Sequence, residues 1–147
     1  MTVPVGRPEI AALIPHAGDM CLLDEVRFWD PATIVCVASS HRDTKNPLAI
    51  GGQLGAVCGI EYAAQAMAVH GGLTAEAAEP PAAGYLASVR GVTCHAARLD
   101  LLPGDLEVTA TRLGGDRTAA MYGFVLRCGD AVILEGRAAV VMNAAAV

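Results

Sequence analysis

The feature that most constrains this chain is a run of sixteen residues, Leu54 to Val69 (LGAVCGIEYAAQAMAV), apolar on nearly every side of a helical wheel. As a helix it spans roughly 24 Å, and a helix without a polar face must be covered on most sides by the rest of the fold. Gly71-Gly72 is expected to stop it, and Thr74 to Ala83 reads as a low-complexity surface loop.

The cover has to come from strands. Arg7 to Ile14 is expected to form a short helix, with Pro8 near its start and Pro15 beyond its end. Met20 to Trp29 and Thr33 to Ser39 are strand candidates joined by an Asp30-Pro31 turn, and His41 to Gln53 is a polar loop leading into the long helix. Tyr85 to Ala96, Asp105 to Leu113, Ala119 to Cys128 and Val132 to Met142 also carry strand patterns. Gly114-Gly115 and Gly129-Asp130 are the expected hairpin turns. The order is helix, two strands, buried helix, four strands. The fold expected is α+β, an antiparallel β-sheet wrapped around one long central helix, as a single domain over residues 1–147.

Composition removes several classes of function. With 54% hydrophobic and 17% charged residues, the chain is not disordered. Its ten Lys and Arg are scattered and the net charge is -5, so no basic stripe exists to follow a nucleic-acid backbone. Met1 to Pro8 lacks the cationic start of a secretory leader, and Glu61 and Gln65 make the apolar helix a poor membrane span. The five cysteines (Cys21, Cys36, Cys58, Cys94, Cys128) are odd in number, widely spaced and without a C-x-x-C pair. They read as reduced residues of a cytoplasmic protein.

Few residues are left to carry chemistry. Glu61 and Gln65 are four apart and share a helix face, with Cys58 one turn earlier. A carboxyl group among Ala, Val, Ile and Met needs a hydrogen-bond partner or a polar cavity, and Gln65 is the side chain expected to orient it. Gly51-Gly52 and Gly55 stand at the helix start, where unpaired N–H groups and close backbone approach suit a developing negative charge. Of the four histidines, Cys94 and His95 are strand neighbours pointing to opposite faces, and no histidine pair has helical ligand spacing, so no metal is expected. His16 sits in a loop (IPHAGDM) from which it can reach a site, whereas His41, in SSHRDTKNP, reads as a solvated loop residue. No G-x-S-x-G elbow, phosphate loop or dinucleotide fingerprint is present.

Two segments together resemble the hot-dog 3-hydroxyacyl-carrier-protein dehydratases of fatty-acid and polyketide synthesis. Ile14 to Val26 (IPHAGDMCLLDEV) is similar to the family's opening stretch, and Gly59 to Ala68 (GIEYAAQAMA) to its central helix. The likeness is greatest to the dehydratase-like proteins of aryl-polyene synthesis, with their N-P-L ahead of G-I-E-Y-x-A-Q. The resemblance implies a dimer in which each site draws a histidine base from one protomer and a carboxylic acid from the other. Carried over, the acid is Glu61, supported by Gln65, with Gly55 and Ala56 near the carbonyl-holding amides and Cys58 and Asn46 beside the substrate. It also implies a thioester carried on the phosphopantetheine of an acyl carrier protein or on CoA, with no further cofactor. The family's histidine position falls on Pro47, preceded by Asn46, and neither residue takes a proton at neutral pH. The expectation is therefore a subunit that pairs with a histidine-bearing relative, or a homodimer in which His16 substitutes. A hot-dog thioesterase and a non-catalytic carrier-binding subunit are the alternatives.

Overall fold

The computed structural model describes residues 4–14, 20–75, 84–116 and 118–142. In chain order the elements are β1 (Val5–Gly6), α1 (Arg7–Leu13), β2 (Glu25–Trp29), β3 (Thr33–Ala38), α2 (Gly59–Thr74), β4 (Gly84–Cys94), β5 (Leu106–Gly115), β6 (Ala119–Cys128) and β7 (Ala131–Met142). Short 3-10 turns lie at Ser40–Arg42 and Ala56–Cys58. The strands make one sheet in the order β1-β2-β3-β5-β6-β7-β4, antiparallel throughout.

Helix α2 packs against β3, β4, β5 and β6. β3 and β4 lie four strand spacings apart, about 19 Å in a flat sheet, whereas a helix with its side chains is about 10–12 Å across. Only a sheet curled around the helix brings both within reach, and register shifts in β2, β4 and β5 supply the bend. Along β6, Ala120, Tyr122, Phe124 and Leu126 face the helix while the residues between them face outward. The core between them includes Leu22, Leu54, Met67, Leu106 and Leu126, all essentially inaccessible, each contributing about 1.5–3 kcal/mol by burial.

The long helix begins later and ends later than its apolar run. Leu54 and Ala56 are held out of it by a neighbouring loop: Leu54 N–H donates to Asp100 Oδ1 (2.9 Å), Ala56 N–H to Ala97 O (2.9 Å), and Leu99 N–H to Leu54 O (2.7 Å). At the other end Gly71-Gly72 continues the helix instead of stopping it. A Cβ at Gly72 meets Leu13 Cδ2 at 2.9 Å, so the glycine permits α1 to lie close against α2. The β2 strand is shorter than the Met20 start expected, and the two-residue β1 was not foreseen. Gly114-Gly115 stays within β5, and the turn falls at Asp116, whose Oδ1 accepts from Thr118 N–H and Ala119 N–H. The Gly129-Asp130 turn is where expected, with Gly129 at φ 61 between paired Cys128 and Ala131. All five cysteines are free.

Candidate active site on the central helix

The buried arc of α2 carries three polar side chains, and each fastens a different piece of the same chain. Tyr62 is inaccessible, and its hydroxyl meets Ser40 Oγ (2.8 Å) and accepts from Asn46 Nδ2 (3.0 Å). Ser40 Oγ donates to Leu22 O, so the tyrosine O–H is the donor to Ser40. Gln65, 1% exposed, accepts from Leu22 N–H (2.9 Å) and donates to Met20 O (2.6 Å). His70 donates from Nε2 to Asp30 O (2.7 Å) and accepts at Nδ1 from Tyr122 O–H (2.6 Å). Burial pushes the Tyr62 and Tyr122 hydroxyls up, Tyr122 to about 12, and pushes His70 down, so all three stay neutral at ordinary pH.

These contacts revise several expectations. The Gln65 amide ties the 20–22 segment to the helix, a structural duty not foreseen from the sequence. Both N–H groups of Asn46 bond within the chain, to Ser40 O and to Tyr62, and its Oδ1 accepts from Leu48 N–H. Asn46 fastens the loop ahead of the helix. Ala56 N–H is already engaged with Ala97 O, so it is not an amide waiting for a carbonyl. Gly55, by contrast, borders open space. Cys58 lies half-buried in the 3-10 turn that leads into α2. His41 is 2% exposed, not solvated, and its Nε2 donates to Leu102 O (3.2 Å). Arg42, bonded to Pro103 O and Asp105, closes the same loop over it. His16 lies outside the described residues.

Glu61 occupies the adjoining, less covered stripe of the helix. Val57 is exposed, and Ile60, Glu61, Ala64 and Ala68 are half-buried, spaced three and four apart along one face. The turn in front of that stripe is rigidly set, because Asp100 accepts both from Leu54 N–H and from the Arg98 guanidinium (Nε 3.0 Å, Nη2 2.5 Å). Those donors hold the Asp100 carboxyl down at about 2. Pro47 lines a small open polar cleft of about 100 Å³ with Arg7, Asp24, Ser40, Lys45 and Asn46.

With this geometry in view, the sequence comparison is decisive. Residues 8–146 match the ApeP dehydratase family. The chain belongs to that family. No curated protein matches it by sequence. Among solved structures, it is similar to the dehydratase heterocomplex ApeI:P from Xenorhabdus doucetiae, with TM-score 0.82 at 24% identity over 97% of this chain and 92% of that one. A thioesterase mutant from Pseudomonas aeruginosa superposes with TM-score 0.60 at 13% identity, over 80% of this chain and 78% of that one. Zebra fish thioesterase superfamily member 2 gives TM-score 0.61 at 19% identity, over 92% and 93%. The fold of this ApeP-family chain is the hot-dog fold, a sheet wrapped around one helix.

The polar residues that sequence reasoning missed are Ser40, in the polar turn after β3, and Tyr62 and His70, which look like interruptions of an apolar helix. The signal of the two helix residues was chemical: a hydroxyl or imidazole in so apolar a helix has to find a partner.

Proposed function

We propose that this chain is the acid-bearing subunit of a dehydratase acting on 3-hydroxyacyl thioesters in aryl-polyene-type synthesis. Glu61 protonates the departing β-hydroxyl, which leaves as water, while a base from another chain removes the α-proton. The thioester arrives on the phosphopantetheine of a carrier protein or on CoA, and the Gly55 turn receives its carbonyl. One observation carries the reading: Glu61 lies on a half-buried apolar stripe of α2 that the described residues leave partly open, as a site completed by a second chain requires.

The open stripe of α2 supports a partner. So does β4, an eleven-residue strand at the edge of the sheet that pairs only with β7 among the described residues. On its helix-facing side Leu86 and Val89, opposite buried Val140 and Ala138, remain 39% and 36% exposed. A related dehydratase that extends the sheet along β4 covers these residues and brings a histidine towards Glu61. His41 does not serve, being locked under the 99–105 loop.

A second reading has its own support. The segment holding His16 is anchored at both ends to the helix that bears Glu61, through Leu13 against Gly72 and through Gln65 to Met20 and Leu22. In a homodimer His16 then acts as the base. Purified chain assayed for hydration of a crotonyl thioester separates the two. The first reading expects rates near background alone, because a missing base costs about 10²–10⁴-fold. Turnover abolished by His16→Ala favours the second, and turnover that survives it defeats both. Free thiol released from acyl-CoA identifies a thioesterase instead.

A further inference from the structure

The outer face of the sheet, turned away from α2, carries a charge arrangement that the fold does not need. In the β4–β7 register Arg90 stands directly opposite Arg137. Both are exposed, and neither guanidinium makes an ion pair or hydrogen bond with another described residue. Like charges directly opposite each other on a sheet destabilise it. The nearest acid on that face, Glu135, is held by His95 at 2.8 Å.

The row through this pair continues across the sheet as Gly123 on β6, Thr111 on β5 and Thr33 on β3. Gly123 leaves a shallow gap between Arg137 and Leu113, whose Cδ1 lies 3.8 Å from where a Cβ would stand. Beside the row, Leu113, Met121 and Val141 are 57%, 41% and 45% exposed, with Ala139 paired to Met121. Two unneutralised arginines thus adjoin an apolar patch on the outer face of the curled sheet.

We propose that this outer face docks an acidic amphipathic helix of a partner protein. Its carboxylates meet Arg90 and Arg137, and its apolar edge lies over Leu113, Met121 and Val141. An anionic membrane fits less well. Two arginines contribute only about 1 kcal/mol each towards a charged bilayer, and no further basic residue flanks them in the β4–β7 register. Lateral pairing along β4 leaves this face open, because side chains stand perpendicular to the sheet.

The test uses the full chain and a synthetic helical peptide with glutamates along one stripe and leucines along the next. Binding is followed by NMR at the arginine side chains and the Met121 methyl group. The expected result is saturable, salt-sensitive binding that weakens about tenfold in Arg90→Gln/Arg137→Gln and vanishes when glutamine replaces the peptide's glutamates. Thermal melting gives an independent readout. Arg137→Gln should leave Tm unchanged or raise it by about 1 °C, since it relieves a like-charge contact. The proposal is overturned by a Tm loss of several degrees, which makes the pair structural. It is also overturned by peptide binding indifferent to the double variant, or by binding to phosphatidylglycerol vesicles in place of the peptide.

Discussion

On one arc of α2, Tyr62, Gln65 and His70 are buried and their polar atoms are bonded to the 20–22 segment, the 40–46 loop, Asp30 and Tyr122. On the other, Val57, Ile60, Glu61, Ala64 and Ala68 remain partly open, and Leu86 and Val89 on the edge strand are also uncovered. The first arc is completed by this chain alone. The second has the apolar character of an interior without the cover. Polar residues inside the closed arc act as fasteners, because a buried hydroxyl or amide left unpaired is costly. Glu61, on the open stripe, is half-buried.

Substitutions should separate the two arcs by what they damage. The largest effect is expected from Tyr62→Ala, which empties a fully buried position and strands Asn46 and Ser40. It should cost about 3–5 kcal/mol, measured by denaturant unfolding. Gln65→Leu should cost about 1–3 kcal/mol for each backbone group it strands at Met20 and Leu22, and should also loosen protection of the Leu22 amide in hydrogen exchange.

The pH response comes next. Burial lowers the affinity of His70 and His41 for a proton in the folded chain, while the unfolded chain binds protons normally below about 6.5. The unfolded state then takes up more protons, so stability should fall as pH drops below about 6.5 and level off once the folded-state groups also titrate. Asp100 acts lower on the scale. Its carboxyl is held at about 2, so its contribution is present above about 4 and is lost as pH falls towards 2. His70→Gln should flatten the upper limb in equilibrium unfolding across pH.

The smallest effect on stability belongs to the open arc. Leu86→Ser and Ala64→Gln should change folding free energy by no more than about 0.5 kcal/mol, yet weaken association with a partner in analytical ultracentrifugation. A large stability loss from either would mean that the open arc is closed by this chain after all, and the comparison would collapse.

The architecture was readable because its main signals are periodic. An apolar helix and strands alternating in and out leave one economical packing, and that packing is present. The helix boundaries were not readable, because Leu54 and Ala56 are taken by a loop more than forty residues away through Asp100 and Ala97. No local pattern records such a bond. Glu61 stood out by its apolar surroundings. Gln65 drew attention by its spacing from Glu61, and Asn46 and Ala56 by the family resemblance, and the fold gives each a bond within the chain. The exposed-looking sequence around His41 misled because its cover comes from the distant 99–105 loop.

The most direct test mixes this chain with a purified histidine-bearing dehydratase of the same type and follows dehydration of a 3-hydroxyacyl thioester. The rate is expected to rise until the two chains are equimolar, and to fall by orders of magnitude when Glu61→Gln replaces the wild type in an equally stable complex. An unchanged rate with Glu61→Gln would contradict an acid supplied from this helix.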